Sequence, residues 1–443
     1  MERRDFLKLG TTAVAAGALA ARDSAAAQTQ PAGTAAFAAP PIPTVRIGYV
    51  GVGGQGSSHV RNLLKIKGCQ IIAVCDVRSD RTDWAVKAIT EAGFAKPAVY
   101  GKDPRDFERL CETESLDLVY TATPWEWHVP VMLAAMKNGK HAATEVPAAM
   151  TIEDCWAIVD AAEKHQKHCV LMENCNYDRM EMMVYNMVRQ GVFGEVLHAE
   201  GGYLHDLREI KFADEGEGLW RRAWDTKING NTYPTHGLGP IANCLDINRG
   251  DRFDYLVSMS GPARGLQNWA SDHVAADSPK RRERYVEGDV NCSLIRTARG
   301  RTVLVEHCTN LPRPYSRIHM VQGTKGLFQG YPSRLYVEGR GKDDQWVEAE
   351  TMLAEFEHPI WKEIAAAAEG AGHGGMDFIE DYRLIKCLRE GQPTDMNVYD
   401  AASLSAVVHL SVQSVARKSS AIDFPDFTRG RWKTSPPLPI VHI

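Results

Sequence analysis

The chain has 443 residues, 44% of them hydrophobic and 24% charged, with a formal charge of −5. That length exceeds what one hydrophobic core usually serves, so two domains are expected. The first 27 residues hold four bases (Arg3, Arg4, Lys8, Arg22) and three acids (Glu2, Asp5, Asp23), so the chain without them is near −6 and offers no basic surface for nucleic acid or an anionic membrane.

In chain order, residues 3–8 read Arg-Arg-Asp-Phe-Leu-Lys, a twin-arginine signature. A mild apolar stretch follows at 9–21, too short and too rich in Ala, Gly and Thr for a membrane span. Ala25-Ala26-Ala27 offers a small-residue cleavage site. Residues 1–27 therefore read as an export signal engaging the twin-arginine machinery, with a periplasmic or secreted destination. Residues 28–44 are rich in Ala, Pro, Gly, Thr and Gln, a linker.

From residue 45 strands and helices alternate. Strands are expected at 45–50, 70–74, 116–122, 141–145 and 169–172. Helices are expected from Gly56 to about 64, at 79–92 with Ser79 as the N-cap, and at 103–112, 125–138 and 151–165. This alternation gives a doubly wound parallel sheet, a Rossmann-type α/β domain over 45–174. After a helix at 176–190, strand-like runs follow without intervening helices: 196–203, 255–260, 291–297, 302–308, 318–323, 326–329 and 334–337. Helical pattern returns at 377–389 and 400–416. The second domain, 175–443, is thus α+β with a largely antiparallel open sheet facing the nucleotide, its outer face a surface for a homo-oligomer.

Gly51-Val52-Gly53-Gly54-Gln55-Gly56 runs from the first strand into the first helix. Gly51 permits the tight turn, Gly53 admits backbone to the pyrophosphate, and Gly56 lets helix pack on strand. Asp76 ends the second strand twenty residues after Gly56, where a ribose-binding carboxylate belongs. A carboxylate repels a 2′-phosphate, so NAD is the expected cofactor, although Arg78 and Arg81 stand close by. Thr123-Pro-Trp-Glu-Trp-His128 and Glu145-Val146-Pro147 follow two later strands, at the edge where ligands sit. Trp125, Trp127, His128, Glu145, Val146 and Asn174 are candidates for the cofactor, with His128 and Glu126 reaching it through backbone. Ten cysteines show no zinc-type spacing, so scattered buried thiols and no metal site are expected.

The order of elements over 45–420 resembles the Gfo/Idh/MocA oxidoreductase superfamily, and more narrowly glycoside hydrolase family 109. The stretches that carry the resemblance are Thr123–His128, Ala143-Thr-Glu-Val-Pro147, Glu173-Asn-Cys-Asn-Tyr177, Leu219-Trp-Arg-Arg222, Gly230-Asn-Thr-Tyr-Pro-Thr-His236 and His373-Gly-Gly-Met-Asp377. The resemblance implies an NAD-dependent retaining glycosidase acting on terminal N-acetylgalactosamine or a related hexosamine. The superfamily's sugar dehydrogenases carry Lys where this chain has Val146, and Asp four residues before a catalytic His where it has Thr232 before His236. Their joint absence argues against net oxidation.

The implied route is oxidation at sugar carbon 3, loss of the acidified proton at carbon 2, departure of the glycosidic oxygen, water addition and re-reduction. An exported nicotinamide enzyme meets no free cofactor pool, so a cycle that returns its nucleotide unchanged suits it. His236 is the candidate acid/base at the oxidised hydroxyl. Tyr177, Tyr233 and Tyr315 are candidates for proton transfer or for hydrogen bonds to the enolate. Tyr203, Arg221 and Arg222 read as substrate contacts. Glu145 serves either to orient the nicotinamide carboxamide or as an acid. The competing readings are an exported sugar oxidoreductase with tightly held cofactor and a binding protein without turnover.

Overall fold

Short aliphatic runs alternate with amphipathic helices in the first third of the chain, and they fold into a parallel sheet covered on both faces. Its strands are β1 (Val45–Val50), β2 (Cys69–Cys75), β3 (Ala98–Tyr100), β4 (Leu118–Thr121), β5 (His141–Thr144) and β6 (Cys169–Leu171). Their order is β3-β2-β1-β4-β5-β6. The order reverses between β1 and β4, which opens a crevice at the C-terminal strand ends. The computed structural model describes residues 39–442; the export signal read at 1–27 and residues 28–38 of the linker lie outside the described residues.

The second sheet comprises β7 (Val196–Leu204), β8 (Phe253–Ser260), β9 (Asn291–Thr297), β10 (Thr302–Cys308), β11 (Met320–Gly323), β12 (Gly326–Gln329), β13 (Arg334–Val337), β14 (Val347–Glu348) and β15 (Ile422–Asp423). It runs β14-β13-β12-β11-β7-β10-β9-β8-β15. Only the central pair β7 and β10 is parallel; the other pairs are antiparallel. Helix Thr235–Cys244 and helix Val398–Ala416 cover one face, while Leu197, Met259 and Leu294 are exposed. The cover corrects one expectation. The sheet does not present its open face to the nucleotide, and of its strands only β7, through Tyr203, reaches the cleft described below.

Other expectations change in detail. β3, three residues long, carries no periodicity to read and pairs with β2 as an edge. Ser79 begins its helix but its side chain caps nothing; Arg78 occupies the cap position. Helices Thr235–Cys244 and Gly265–His273 interrupt the run of strands. All ten cysteines are free thiols, nine of them buried.

The last two long helices cross back over the first domain. Helix Met376–Glu390 packs on helix Gly54–Leu63, and helix Val398–Ala416 lies against both helix Ile152–His165 and β8. The described residues therefore form one compact unit, with a shared core rather than two separate ones.

Candidate active site

A cleft of about 500 Å³ follows the C-terminal ends of β1, β2, β4 and β5. At one end Gly51, Gly53, Gly54, Gln55 and Asp76 line it. Gly51 has φ +86°, and a Cβ there would lie 2.7 Å from the Ala122 carbonyl oxygen. A Cβ on Gly56 would lie 2.0 Å from the Gly51 carbonyl, so Gly56 serves helix–strand packing and does not face the cleft. A Cβ on Gly53 or Gly54 would meet nothing within 4 Å, which leaves room for a pyrophosphate at the helix N-terminus. The Asp76 carboxylate accepts from the backbone N–H of Val52 and of Arg78, both at 2.9 Å, which fixes it at the ribose position. These residues fit an NAD nucleotide.

The opposite wall comes from the second domain. Between helix Arg208–Phe212 and helix Arg222–Asp225 a strap of residues 213–221 crosses the cleft, and Gly216, Glu217, Leu219, Trp220 and Arg221 face Val77, Asp103 and Phe107 across it. Buried Lys211 anchors the strap's start, donating to Asp225 at 2.6 Å, Asn310 at 2.8 Å and Thr309 at 2.9 Å. Arg222 anchors its end through Glu283 at 2.7 Å and the Lys211 carbonyl at 2.6 Å. Arg222 is thus a brace and not the substrate contact expected from its sequence position.

Arg221 points inward. It is paired with Glu217 and sits over the rings of Tyr233 (4.6 Å), Trp125 (5.1 Å) and Tyr203 (5.9 Å). Trp125 stacks on Tyr233 at 5.7 Å, and Tyr203 lies 4.7 Å from Tyr233. The group is a wall of aromatic faces around one cation. Burial, above all, pushes the Tyr203 phenol up to about 12 and holds that of Tyr233 well above its ordinary range. Both phenols are therefore hydrogen-bond donors at neutral pH.

His236 opens helix Thr235–Cys244, which lies directly on β7: a Cβ at Gly201 would stand 2.1 Å from the Gly237 carbonyl. That close approach sets the imidazole 5.3 Å from Tyr203 and 4.8 Å from Tyr233. Its Nδ1 lies 2.7 Å from Oε1 of Glu173, a fully buried carboxylate that sequence reading passed over as a site residue. Burial raises the Glu173 carboxyl, but His236, Thr235 and the Cys175 N–H outweigh it and keep the group below its ordinary value. The position expected to hold the missing Asp, Thr232, is buried 3.3 Å from Nε2 of His307 instead. The histidine thus has its carboxylate partner from another segment, and the argument against oxidation from that gap no longer holds. Cys175 Sγ joins Glu173 and His236 in a trio of ligand-capable atoms within 4.8 Å, although two of the three are committed to the dyad. Burial, first of all, keeps its thiol protonated.

On the cleft floor, Glu145 is held at 2.6 Å by Nε2 of His59. Asn174 donates to Asp377 at 2.7 Å, and His373, on the cleft rim, reaches the same carboxylate at 2.8 Å. Burial raises the Asp377 carboxyl, but His373, His59 and Asn174 bring it to about 2. Val146 lines the cleft as an aliphatic surface, and His128 ties the edge together, its ring nitrogens 2.8 Å from the carbonyls of Pro147 and Thr123. Trp127 lines the cleft and packs on Phe107, whereas Glu126 is exposed outside it. Tyr315 stands behind Tyr203 at 6.2 Å, where its hydroxyl accepts from Arg317 at 3.2 Å; it does not line the cleft, so it backs Tyr203 and is not the catalytic or substrate contact expected of it. Tyr177 is elsewhere: its hydroxyl donates to Asp395 at 3.0 Å in the protein interior, so it is a structural residue and not a catalytic one.

Residues 45–173 match the oxidoreductase family with an NAD-binding Rossmann fold, and residues 177–434 match the glycosyl hydrolase 109 C-terminal domain. The chain belongs to glycosyl hydrolase family 109. Family 109 proteins of Shewanella pealeana and of Shewanella baltica strain OS185 are 44% and 46% identical to it, over all of this chain and 99% of each relative. Among solved structures, levoglucosan dehydrogenase in complex with NADH and L-sorbose superposes with a TM-score of 0.65 at 20% identity, over 87% of this chain and all of that one. Scyllo-inositol dehydrogenase from Lactobacillus casei, with NAD(H) and scyllo-inositol, gives 0.61 at 16% identity, over 86% and 99%. At such identities the likeness shows the fold. This family 109 chain has NAD as its cofactor, and family and fold together give an NAD-dependent glycosidase or sugar-dehydrogenase-like activity.

Proposed function

We propose that this protein cleaves the glycosidic bond of a terminal N-acetylgalactosamine or a related hexosamine, by transient oxidation at carbon 3. The observation that carries this reading is the His236–Glu173 dyad beside Tyr203, Tyr233 and Arg221. NAD, when bound, supplies the place where the hydride from carbon 3 goes and from which it returns. His236, its tautomer set by Glu173, takes the proton of the carbon 3 hydroxyl and later gives it back. The phenols of Tyr203 and Tyr233, kept protonated by burial, donate hydrogen bonds to the oxygen on which enolate charge develops. The cation of Arg221 adds to that stabilisation, and the aromatic faces seat the apolar side of the ring.

The test incubates the purified protein with para-nitrophenyl N-acetyl-α-galactosaminide, with and without added NAD. Nitrophenol release without net NADH is expected, and in heavy water carbon 2 of the product is expected to carry deuterium. An accumulating oxidised sugar, or an unexchanged carbon 2, rejects the reading. The dyad also suits net oxidation of a sugar hydroxyl, so the first of those outcomes favours an oxidoreductase. We read residues 1–27 as an export signal. Replacing Arg3 and Arg4 by lysine is expected to leave the protein in the cytosol on cell fractionation, and unchanged export would reject that.

A further inference from the structure

His59, on helix Gly54–Leu63, is fully buried, and both of its ring nitrogens face carboxylates. Nε2 is 2.6 Å from Glu145, and Nδ1 is 2.8 and 2.9 Å from the two oxygens of Asp381. An imidazole donates to two carboxylates at once only when both nitrogens carry protons. The surrounding acids favour that cation, while burial raises the Asp381 carboxyl and His59 and Asn62 work against that rise. Asp377, Glu380 and Asp381 lie on one face of helix Met376–Glu390, at i, i+3 and i+4, against His59. The β1 and β4 strands add the buried phenols of Tyr49 and Tyr120, the latter 3.2 Å from Asp381, and His373 stands outside against Asp377. Asn62 and Gln55 complete the surroundings as neutral donors to Asp381 and Asp377. Burial works against the His59 proton, but Asp381 and Glu145 more than offset it and hold the ring well above its ordinary range. Of the carboxylates bonded to His59, Glu145 is the one that lines the cleft; Gln55, its amide nitrogen 3.2 Å from the same Nε2, lines the cleft beside it.

We propose that His59 is a positioning residue: as a buried imidazolium braced by Asp381, it holds the Glu145 carboxylate aimed into the cleft, where Glu145 faces the nicotinamide and the sugar. The proposal rests on the glycosidase reading only for the identity of the sugar. Glu145 is fixed from below by a charge-assisted bond, while its second oxygen stays on the cleft side near the Val146 N–H at 3.3 Å.

The experiment uses NAD-loaded full-length protein labelled with ¹⁵N-histidine, and compares the wild type with His59→Gln and Asp381→Asn. In the wild type both ring nitrogens of His59 are expected to remain protonated at every pH from about 6 to about 9, well past where an ordinary histidine titrates. In His59→Gln, kcat is expected to fall about tenfold or more with KM nearly unchanged, and bound NAD to stay at the wild-type level. Asp381→Asn, which keeps His59, is expected to lower kcat in the same way by less, again with KM nearly unchanged. A singly protonated wild-type ring overturns the proposal. So does a folded, NAD-loaded His59→Gln protein with wild-type kcat, or one whose only defect is lost NAD. If His59→Gln does not fold, Asp381→Asn and the nitrogen spectrum decide alone. If the wild type cleaves no glycoside, the glycosidase reading fails, while the nitrogen spectrum still judges His59.

Discussion

A histidine that takes and returns one proton per cycle needs a partner that fixes its tautomer and stabilises its cation. Glu173 does this for His236 at 2.7 Å. Glu173→Gln is therefore expected to lower kcat by about 10²-fold with bound NAD unchanged, and a smaller effect in steady-state kinetics would remove Glu173 from the mechanism. Tyr177→Phe is the contrast. Its hydroxyl serves Asp395 away from the cleft, so kcat is expected to hold while thermal unfolding shows a loss of about 1 kcal/mol. Glu380 gives a pH signature. Both of its oxygens are buried without a partner, and burial holds the carboxyl protonated, well above its ordinary range. The folded chain keeps that proton and the unfolded chain releases it, so stability falls as pH rises above the ordinary carboxyl value, by about 1 kcal/mol per pH unit. Glu380→Gln has no proton to release. Its melting temperature is expected to exceed the wild type's at pH near 8 and to converge with it below about pH 5, as read by melting curves across pH.

At the scale of elements, the strap of residues 213–221 is expected to help retain the nucleotide, because it lines the cleft opposite the nucleotide loop. Leu219 and Trp220 wall the cleft from the sugar-domain side, and Glu217 pairs with Arg221 within the strap. Replacing Leu219 and Trp220 together by alanine removes apolar contact worth about 3 kcal/mol, which corresponds to roughly a hundredfold faster loss of NAD. Gel filtration is expected to strip the variant of its 260 nm absorbance, and added NAD to restore its activity; an unchanged absorbance would show that the strap does not retain the nucleotide. How far such elements are legible depends on distance along the chain. Gly51, Gly53, Gly56 and Asp76 act on their own turn and strand, so their pattern is local and readable. The partners of the two histidines are not. Glu173 lies 63 residues from His236, and Glu145 lies 86 from His59, and no spacing rule joins them. Helix Thr235–Cys244 escaped notice because it contains Gly237, Gly239 and Pro240, poor helix formers that tight packing on β7 overrides. Arg221 and Arg222 are adjacent and chemically alike; only the fold turns one into the cleft and the other onto Glu283.

At the scale of the whole molecule, the boundary near residue 174 divides the sequence more cleanly than it divides the structure. Helix Gly54–Leu63 buries His59 and Asn62 only because helix Met376–Glu390 lies on it with Asp381. The full chain is expected to unfold in one transition, with circular dichroism and tryptophan fluorescence coincident and the midpoint raised by NAD. A fragment ending at residue 175 is expected to show no cooperative melt and no NAD binding; a folded, NAD-binding fragment would show that the contact is dispensable.

That shared contact bears on how such proteins diversify. The nucleotide half and the sugar half are not interchangeable cassettes, because a histidine of one is neutralised by an aspartate of the other. A chimera that kept His59 but took a foreign partner helix without that carboxylate would bury an uncompensated charge. A chimera that exchanges the sugar half and keeps its stability is therefore expected to need both sides of this contact changed together.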